Sequence, residues 1–430
     1  MLAATVPDAP WRLPVVGHLP ALLHDRLAFV TAASRVGPVA AVSLAGTDAF
    51  LINDPALVRR VLVDDVASFG KGIQYEKLRI LLGESVSTSC GVAHRDRRRA
   101  MQPAFQRGMF DSYAALIRRE TDRLVDRWRV GQEVLIDDEM RKLSLSIVTG
   151  AMCSAELDPA AIAVIQRDLP TVMRGVAWRA LVSSPALERL PIPANRRFRA
   201  ANARLRQIVM TMVQSRPPVR DDRRDLLGVL RTAGADSSGS RPSDDQLRDE
   251  LVNVLFAGTE TTANALGWLW HALATHPEVG DRLRTESGSS GLEYAYRVAR
   301  ETLRLYPPPW LISRRTVRPV RVGAYAFPAD VHILFSPYAI HRHPDNFPAA
   351  VSFDPDRWLP GRMVDGSRHS FLAFGAGPHN CIGEGFALLE IAIVATRIAS
   401  RYRLTPRGKA RGSALATLTP LRLRMVVEEV

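Results

Sequence analysis

Three cysteines in 430 residues, Cys90, Cys153 and Cys381, offer no paired spacing from which a disulfide framework could be built. A reducing, cytoplasmic setting is expected. Lysine is nearly as scarce: only Lys71, Lys77, Lys142 and Lys409 stand among 57 basic residues. The net charge of +13 is therefore carried by arginines scattered over the whole chain, a usage bias rather than a nucleic-acid-binding stripe. No nucleic-acid motif accompanies them. The chain also lacks an apolar run of transmembrane length, and its N-terminus (MLAATVPDAPWRLPVVGHLP) has no signal-peptide anatomy, so no membrane anchor is expected. No internal repeat and no break in composition divides it. With 47% hydrophobic residues it can fill a large core, and one domain spanning residues 1–430 is expected.

What is present reads as mainly α with a minor β region. Pro7 to Pro20 is proline-rich and extended. Strand-like runs follow at Val39–Leu44 and Ala49–Ile52, joined by a turn at Gly46-Thr47-Asp48. Helical periodicity dominates from Met109. Ser215 to Asp245, ending in AGADSSGSRPSDD, reads as a polar surface linker. Alternation returns from Val317 to Ser336 and again in the terminal LRLRMVVEEV, suggesting small sheets.

Ser243 is a plausible N-cap, with Leu247, Leu251, Val254 and Leu255 behind it at helical spacing and a stop at His276-Pro277. That predicts a helix about 50 Å long at 1.5 Å per residue, enough to cross a domain. Its middle, Ala257-Gly258-Thr259-Glu260-Thr261-Thr262, has weak helix propensity, since a mid-helix glycine costs about 1 kcal/mol relative to alanine. Such local weakness marks either a simple kink or a hydrogen-bond ladder opened for function.

The densest signal surrounds Cys381, in Phe374-Gly-Ala-Gly-Pro-His-Asn-Cys381-Ile-Gly383. Gly375 and Gly377 permit unusual backbone geometry ahead of the sulfur. The apolar run from Ile382 to Ser400 predicts a helix starting at the cysteine, where the helix dipole and backbone N–H groups favour a thiolate. A buried structural thiol is the ordinary fate of a free cysteine and suits Cys90 and Cys153. It does not explain the glycines around Cys381.

This segment resembles the haem-ligand loop of the cytochromes P-450, Phe-x-x-Gly-x-Arg/His-x-Cys-x-Gly, with Phe374, Gly377, His379, Cys381 and Gly383 in its slots. The resemblance implies the cytochrome P-450 fold, a helical bundle with a long central helix around haem b (iron protoporphyrin IX), and makes Cys381 the axial thiolate. Ala257–Thr262 resembles the oxygen-activation motif of the same family. By that likeness Glu260 is the acid and Thr261 the alcohol that relay protons, and Ala257 and Gly258 leave room beside the iron. Glu301 and Arg304 in ETLRLYPPP match the family's Glu-x-x-Arg element, and Arg357 in FDPDRW completes a structural network holding the cysteine loop. For the haem propionates the resemblance implies His94 and Arg98, His379, and an arginine after the proline turn. Arg315 matches that place better than Arg314, but the doublet leaves the register open.

Regions that line the substrate pocket in the family supply Phe69, Ile73, Tyr75, Leu81, Leu82, Leu169, Val172, Met173, Trp178, Phe256, Trp310, Leu311, Ile312 and Leu418. They imply an apolar ligand of modest size, although apolar residues there can equally be core. Stretches at Leu190–Phe198, Phe335–Pro344 and Phe353–Pro360 look like actinobacterial terpene hydroxylases. Hydroxylation of a sesquiterpene-like substrate is therefore expected, with a macrolide, polyketide or fatty acid as alternatives. The chain ends soon after the cysteine helix, so dioxygen chemistry implies electrons from a ferredoxin and an NAD(P)H-dependent ferredoxin reductase. The Arg95–Arg99 cluster is a candidate docking face for such an acidic carrier, or a solvated helix face. A peroxide-driven haem-thiolate peroxygenase is the rival enzyme, and its relatives tend to lose the acid–alcohol pair. A non-enzymatic haem sensor would keep Cys381 without needing that pair. Between Thr285 and Leu292 the chain is shorter than is usual in the family.

Overall fold

Short strands and long helices segregate along this chain, and the computed structural model resolves them into two compact units. It describes residues 4–44, 47–153, 158–182, 185–215, 225–233, 239–286, 291–363 and 367–430. The first unit comprises Met1–Glu76 and Glu301–Cys381, the second Lys77–Arg300 and Ile382–Val430.

The first unit is built on a five-stranded sheet, in the order Val39–Leu44, Thr47–Ile52, His332–Phe335, Ile312–Thr316, Phe69–Lys71. The first two strands form an antiparallel hairpin in which Val39 faces Ile52 and Leu44 faces Thr47. Thr47–Ile52 then runs parallel to His332–Phe335, and the remaining pairs are antiparallel. Strand alternation sends Val39, Ile52, Ile312, Ile333 and Phe335 into one apolar cluster with Val58, Leu62 and Leu372. Burying such side chains is worth about 1.5–3 kcal/mol each.

The second unit is helical, and its longest element is Asp244–Thr275. Ser243 caps it: the Ser243 hydroxyl accepts from the Gln246 N–H, and the Gln246 side chain accepts from the Ser243 N–H. The expected start and stop are both observed. Ile136–Cys153 packs closely along this helix, because Gly258 offers no side chain: a Cβ there would meet Val148 at 3.0 Å. Trp268 donates its indole N–H to the Leu418 carbonyl, and Asn264 donates to Thr417 and Thr419, fastening the Arg411–Ala414/Leu418–Leu421 hairpin to the same helix.

One expected linker is partly a helix. Leu226–Thr232 is capped by the Asp225 carboxylate, which accepts from the Gly228 N–H, and it buries Leu226, Leu227, Val229 and Leu230. The apolar run LLGVL is too short to stand out between charged neighbours. Residues 216–224 and 234–238 of that stretch, the Gly46 turn residue, and residues 287–290 of the shortened segment lie outside the described residues. No described helix is long and apolar enough to cross a membrane.

Candidate active site

The first unit carries Cys381 on a loop that the backbone closes on itself. The Cys381 N–H donates to the Phe374 carbonyl at 2.8 Å, and the Gly375 N–H to the Leu372 carbonyl at 3.0 Å. Gly377 sits at φ +68°, and a Cβ there would lie 2.1 Å from the Leu62 carbonyl oxygen, so no side chain fits. Gly375 is also left-handed, at φ +70°. The result is a rigid loop whose thiol is exposed, unlike that of Cys153, which is buried. Phe374 and His379 on the same loop are half-buried.

The expected helix begins slightly late. It spans Glu384–Ala399 with Gly383 as N-cap at an ordinary φ of −90°, so Cys381 precedes it by three residues. The glycine that needs its missing side chain here is Gly385, where a Cβ would meet the Phe110 ring at 2.7 Å.

Behind the loop, Glu301 and Arg304 are both fully buried and form a bidentate pair at 2.8 and 2.9 Å. Arg357 donates to the same carboxylate at 3.3 Å, Trp358 through its indole N–H at 3.0 Å, and Asp354 through its backbone N–H at 3.0 Å. Arg304 also donates to the carbonyls of His341, Ala350 and Ser352. Burial lowers the His341 pKa to about 3, so the ring is neutral. Its Nδ1 donates to the Arg304 carbonyl at 2.9 Å and its Nε2 accepts from the Leu372 N–H at 2.8 Å. His341 thus ties the buried ion pair to the residue where the cysteine loop starts. The sequence offered no signal for this role beyond its place in FSPYAIHRHP.

The arginine doublet separates cleanly. Arg315, the expected propionate cation, instead pairs with Asp330 at 2.7 Å and Glu76 at 3.2 Å on the surface. Arg314, next along the Ile312–Thr316 strand, points the other way and is 5% exposed. It donates to the Ser313 carbonyl and lies over the Tyr75 ring at 5.6 Å, and no carboxylate among the described residues pairs with it. Strand alternation thus leaves Arg314, not Arg315, as the cation without a carboxylate partner among the described residues. Phe69 is part of the sheet core, Trp310 is buried, and Ile73, Tyr75 and Leu311 are half-buried.

The second unit carries the remaining expected residues. The long helix runs unbroken through its weak middle, and the Thr261 hydroxyl donates back to the Ala257 carbonyl. Ala257 is exposed and Phe256 and Thr261 are half-exposed, in a helix otherwise largely buried. Glu260 is buried, and its pKa is raised chiefly by that burial, against the opposing pull of Arg141 and Asn264. Its Oε2 and the Thr259 hydroxyl have no hydrogen-bond partner among the described residues. Burial of this kind favours the protonated acid over the carboxylate relative to an exposed glutamate. His94 is buried and Arg98 half-buried, one turn apart on Gly91–Met101. Met173 and Leu418 are buried. Trp178 is not an interior residue: it is 55% exposed, because its helix turns Val172, Val176 and Arg179 inward.

These residues suit an iron porphyrin. In the first unit, an exposed thiol on a rigid loop offers a soft ligand, and Arg314 supplies a cation that no carboxylate among the described residues pairs with. In that unit Cys381, Arg314 and His379 are the residues that would hold it.

The family model described as Cytochrome P450 matches residues 7–419. The cyclooctat-9-en-7-ol 5-monooxygenase of Streptomyces melanosporofaciens is 38% identical over 414 residues, covering 94% of this chain and 90% of that protein. The pentalenene oxygenase of Streptomyces avermitilis is 33% identical over 432 residues, covering 97% and 96%. Among solved structures, the cytochrome P450DA heme domain shares the fold with a TM-score of 0.87 at 23% identity, covering 100% and 99%. CYP175A1 from Thermus thermophillus is similar at a TM-score of 0.80 and 28% identity, covering 96% and 97%.

Proposed function

Because the chain belongs to the cytochrome P450 family, we propose that it is a haem-thiolate monooxygenase, one catalytic domain in the cytoplasm, that hydroxylates a cyclic terpene. Electrons would come from a ferredoxin and its NAD(P)H-dependent reductase. The observation that carries the reaction class is the Cys381 loop, whose two left-handed glycines present an exposed thiol. The substrate class is supported by relatives whose names specify cyclooctat-9-en-7-ol and pentalenene oxidation. On the basic Gly91–Met101 helix, Arg95 and Arg99 are exposed, whereas Arg97 is turned inward to Glu250 at 3.2 Å. Arg99 pairs with Asp96 at 3.0 Å, so Arg95 is the exposed charge of this helix left available to an acidic donor.

Haem, when bound, supplies the redox chemistry that splits dioxygen and places one oxygen atom into a C–H bond. The chain's own groups supply the protons. Burial raises the pKa of the Glu260 carboxyl, which favours its protonated form relative to an exposed glutamate. The Thr261 hydroxyl is oriented by its bond to the Ala257 carbonyl, which leaves its oxygen lone pairs open to accept a proton and pass one on.

Optical titration of the ferric protein with cyclic terpenes, macrolactones and fatty acids tests the substrate. A saturable low-spin to high-spin shift with the terpenes is expected, and a shift only with another class overturns the terpene assignment. Thr261→Ala should lower product formed per electron pair by about tenfold or more while peroxide release rises, as loss of a proton-delivering group predicts. Unchanged coupling in that variant would remove Thr261 from the relay.

A further inference from the structure

A cavity of about 410 Å³ lies where Gly91–Met101, Leu226–Thr232 and the first turns of Asp244–Thr275 meet, all within the second unit. That is the size of a small-molecule site. None of the residues named above for haem or the proton relay lines it. Its floor is apolar, with Val229, Leu230 and Leu247 all buried, and Ala100 and Pro103 line its wall.

One buried ionisable group belongs to this cavity. Glu250 is 4% exposed, and its carboxyl accepts from the Val86 N–H at 3.0 Å and from Arg97 at 3.2 Å. Burial raises its pKa to about 7, against the opposing pull of those two donors. The other charges around it are occupied. Asp249, next on the same helix, is held by Arg206 at 2.7 Å and Arg248 at 2.8 Å. On Gly91–Met101, Asp96 pairs with Arg99 at 3.0 Å. Leu226–Thr232 brings no charge to the cavity, because Arg231 donates instead to the Val213 carbonyl.

The hydrogen-bond donors at the edge of the cavity are under-used. Arg97 is only 18% exposed, yet its bond to Glu250 is the one it makes among the described residues, which leaves most of its N–H groups open. Gln246 accepts from the Ser243 N–H through its carbonyl, and its NH2 group donates to nothing among the described residues. Spare donors on a guanidinium beside an apolar floor suit a carboxylate carried on an apolar chain.

We propose that this cavity binds a medium-chain aliphatic carboxylate, with the carboxylate on Arg97 and Gln246 and the chain over Val229, Leu230 and Leu247. The site goes beyond the monooxygenase reading and stands whatever substrate is oxidised. Its proton balance follows from Glu250, which is mostly protonated below pH 7 and mostly charged above it. A bound carboxylate repels the charged form and shares its arginine, so it raises that pKa further. Binding therefore takes up a proton and weakens as pH rises.

Isothermal titration of the full haem-loaded chain with octanoate tests this. Octanoate is itself ionised from pH 6 to pH 8, and its affinity should fall about fivefold between them. Titration at pH 7.5 in buffers of different ionisation heat should show uptake of about half a proton. Acetate, with no chain to bury, should bind about a hundredfold more weakly. E250Q keeps an acceptor for the Val86 N–H but cannot ionise, so it should bind octanoate more tightly than the parent at pH 8 and lose the pH dependence. A100F fills the cavity and should weaken binding about tenfold or more. Absence of octanoate binding overturns the proposal. So does acetate binding as tightly as octanoate, or octylamine binding in its place with proton release, which would make the site one for cations on Glu250. Octanoate binding that keeps its affinity and pH dependence in E250Q lies elsewhere, beside the haem included, and also overturns it. That variant decides the matter even if A100F fails to fold. None of these readouts requires turnover or a spin shift, so they are independent of the spectral titration.

Discussion

Cys381→Ser should abolish the absorption signature of a thiolate-ligated haem and reduce product formation by more than about a hundredfold, the loss typical of groups that merely support a metal ligand. The fold should survive. The Cys381 thiol is exposed and packs in no core, and the backbone bond from residue 381 to the Phe374 carbonyl does not depend on the side chain. Serine is a poor ligand because its hydroxyl is not ionised near neutral pH and is hard where the thiolate is soft. Thermal melting of the protein without haem should therefore match the parent, while the spectrum of the reduced, carbon monoxide-bound protein changes class. Cys90→Ser provides the internal comparison: Cys90 is also exposed, yet it precedes a helix without the glycine-framed loop. A thiolate spectrum that persists in Cys381→Ser and vanishes in Cys90→Ser would overturn the assignment.

Why Cys381 was legible in the sequence and other residues were not has a physical basis. The cysteine loop is a local structure. Its two left-handed glycines, its closing hydrogen bond and its thiol lie within ten residues, so the constraint that shapes it also spells its pattern. The long helix was legible for a similar reason, since its cap and its stop are both short-range signals. His341 is different. Its value comes from two hydrogen bonds, to residues 37 positions before it and 31 after, and a buried histidine leaves no mark of its own in a sequence. The Arg314/Arg315 register depended on which side of one strand faces Glu76 and Asp330, and a doublet carries both registers at once. Trp178 shows the weakest kind of evidence, an aromatic residue in a helical stretch, where one step of 100° separates interior from surface.

Arg304→Ala should be the most destabilising single change in the first unit. Arg304 is fully buried and donates five hydrogen bonds: two to Glu301 and one each to the carbonyls of His341, Ala350 and Ser352. Removing it leaves three carbonyls without this donor and a buried carboxylate with only Arg357, Trp358 and the Asp354 N–H to hold its charge. Breaking one side of a buried ion pair costs about 3–5 kcal/mol. For a unit of this size that corresponds to a fall in melting temperature of about 10 °C or more. Arg304→Lys keeps the charge but cannot form the bidentate fork or reach all three carbonyls, so it should recover only part of the loss. The effect should extend to the cofactor. With the Arg304 segment loosened, His341 loses the fixed carbonyl that orients its Nδ1, and the Leu372 N–H at the start of the cysteine loop loses a firmly placed acceptor. Haem should therefore dissociate faster from the lysine variant even below its melting temperature. Transfer of haem to an excess of an unrelated apoprotein measures this directly. An unchanged transfer rate in a variant that has lost stability would mean that the ion pair holds up the sheet unit alone and has no part in positioning Cys381.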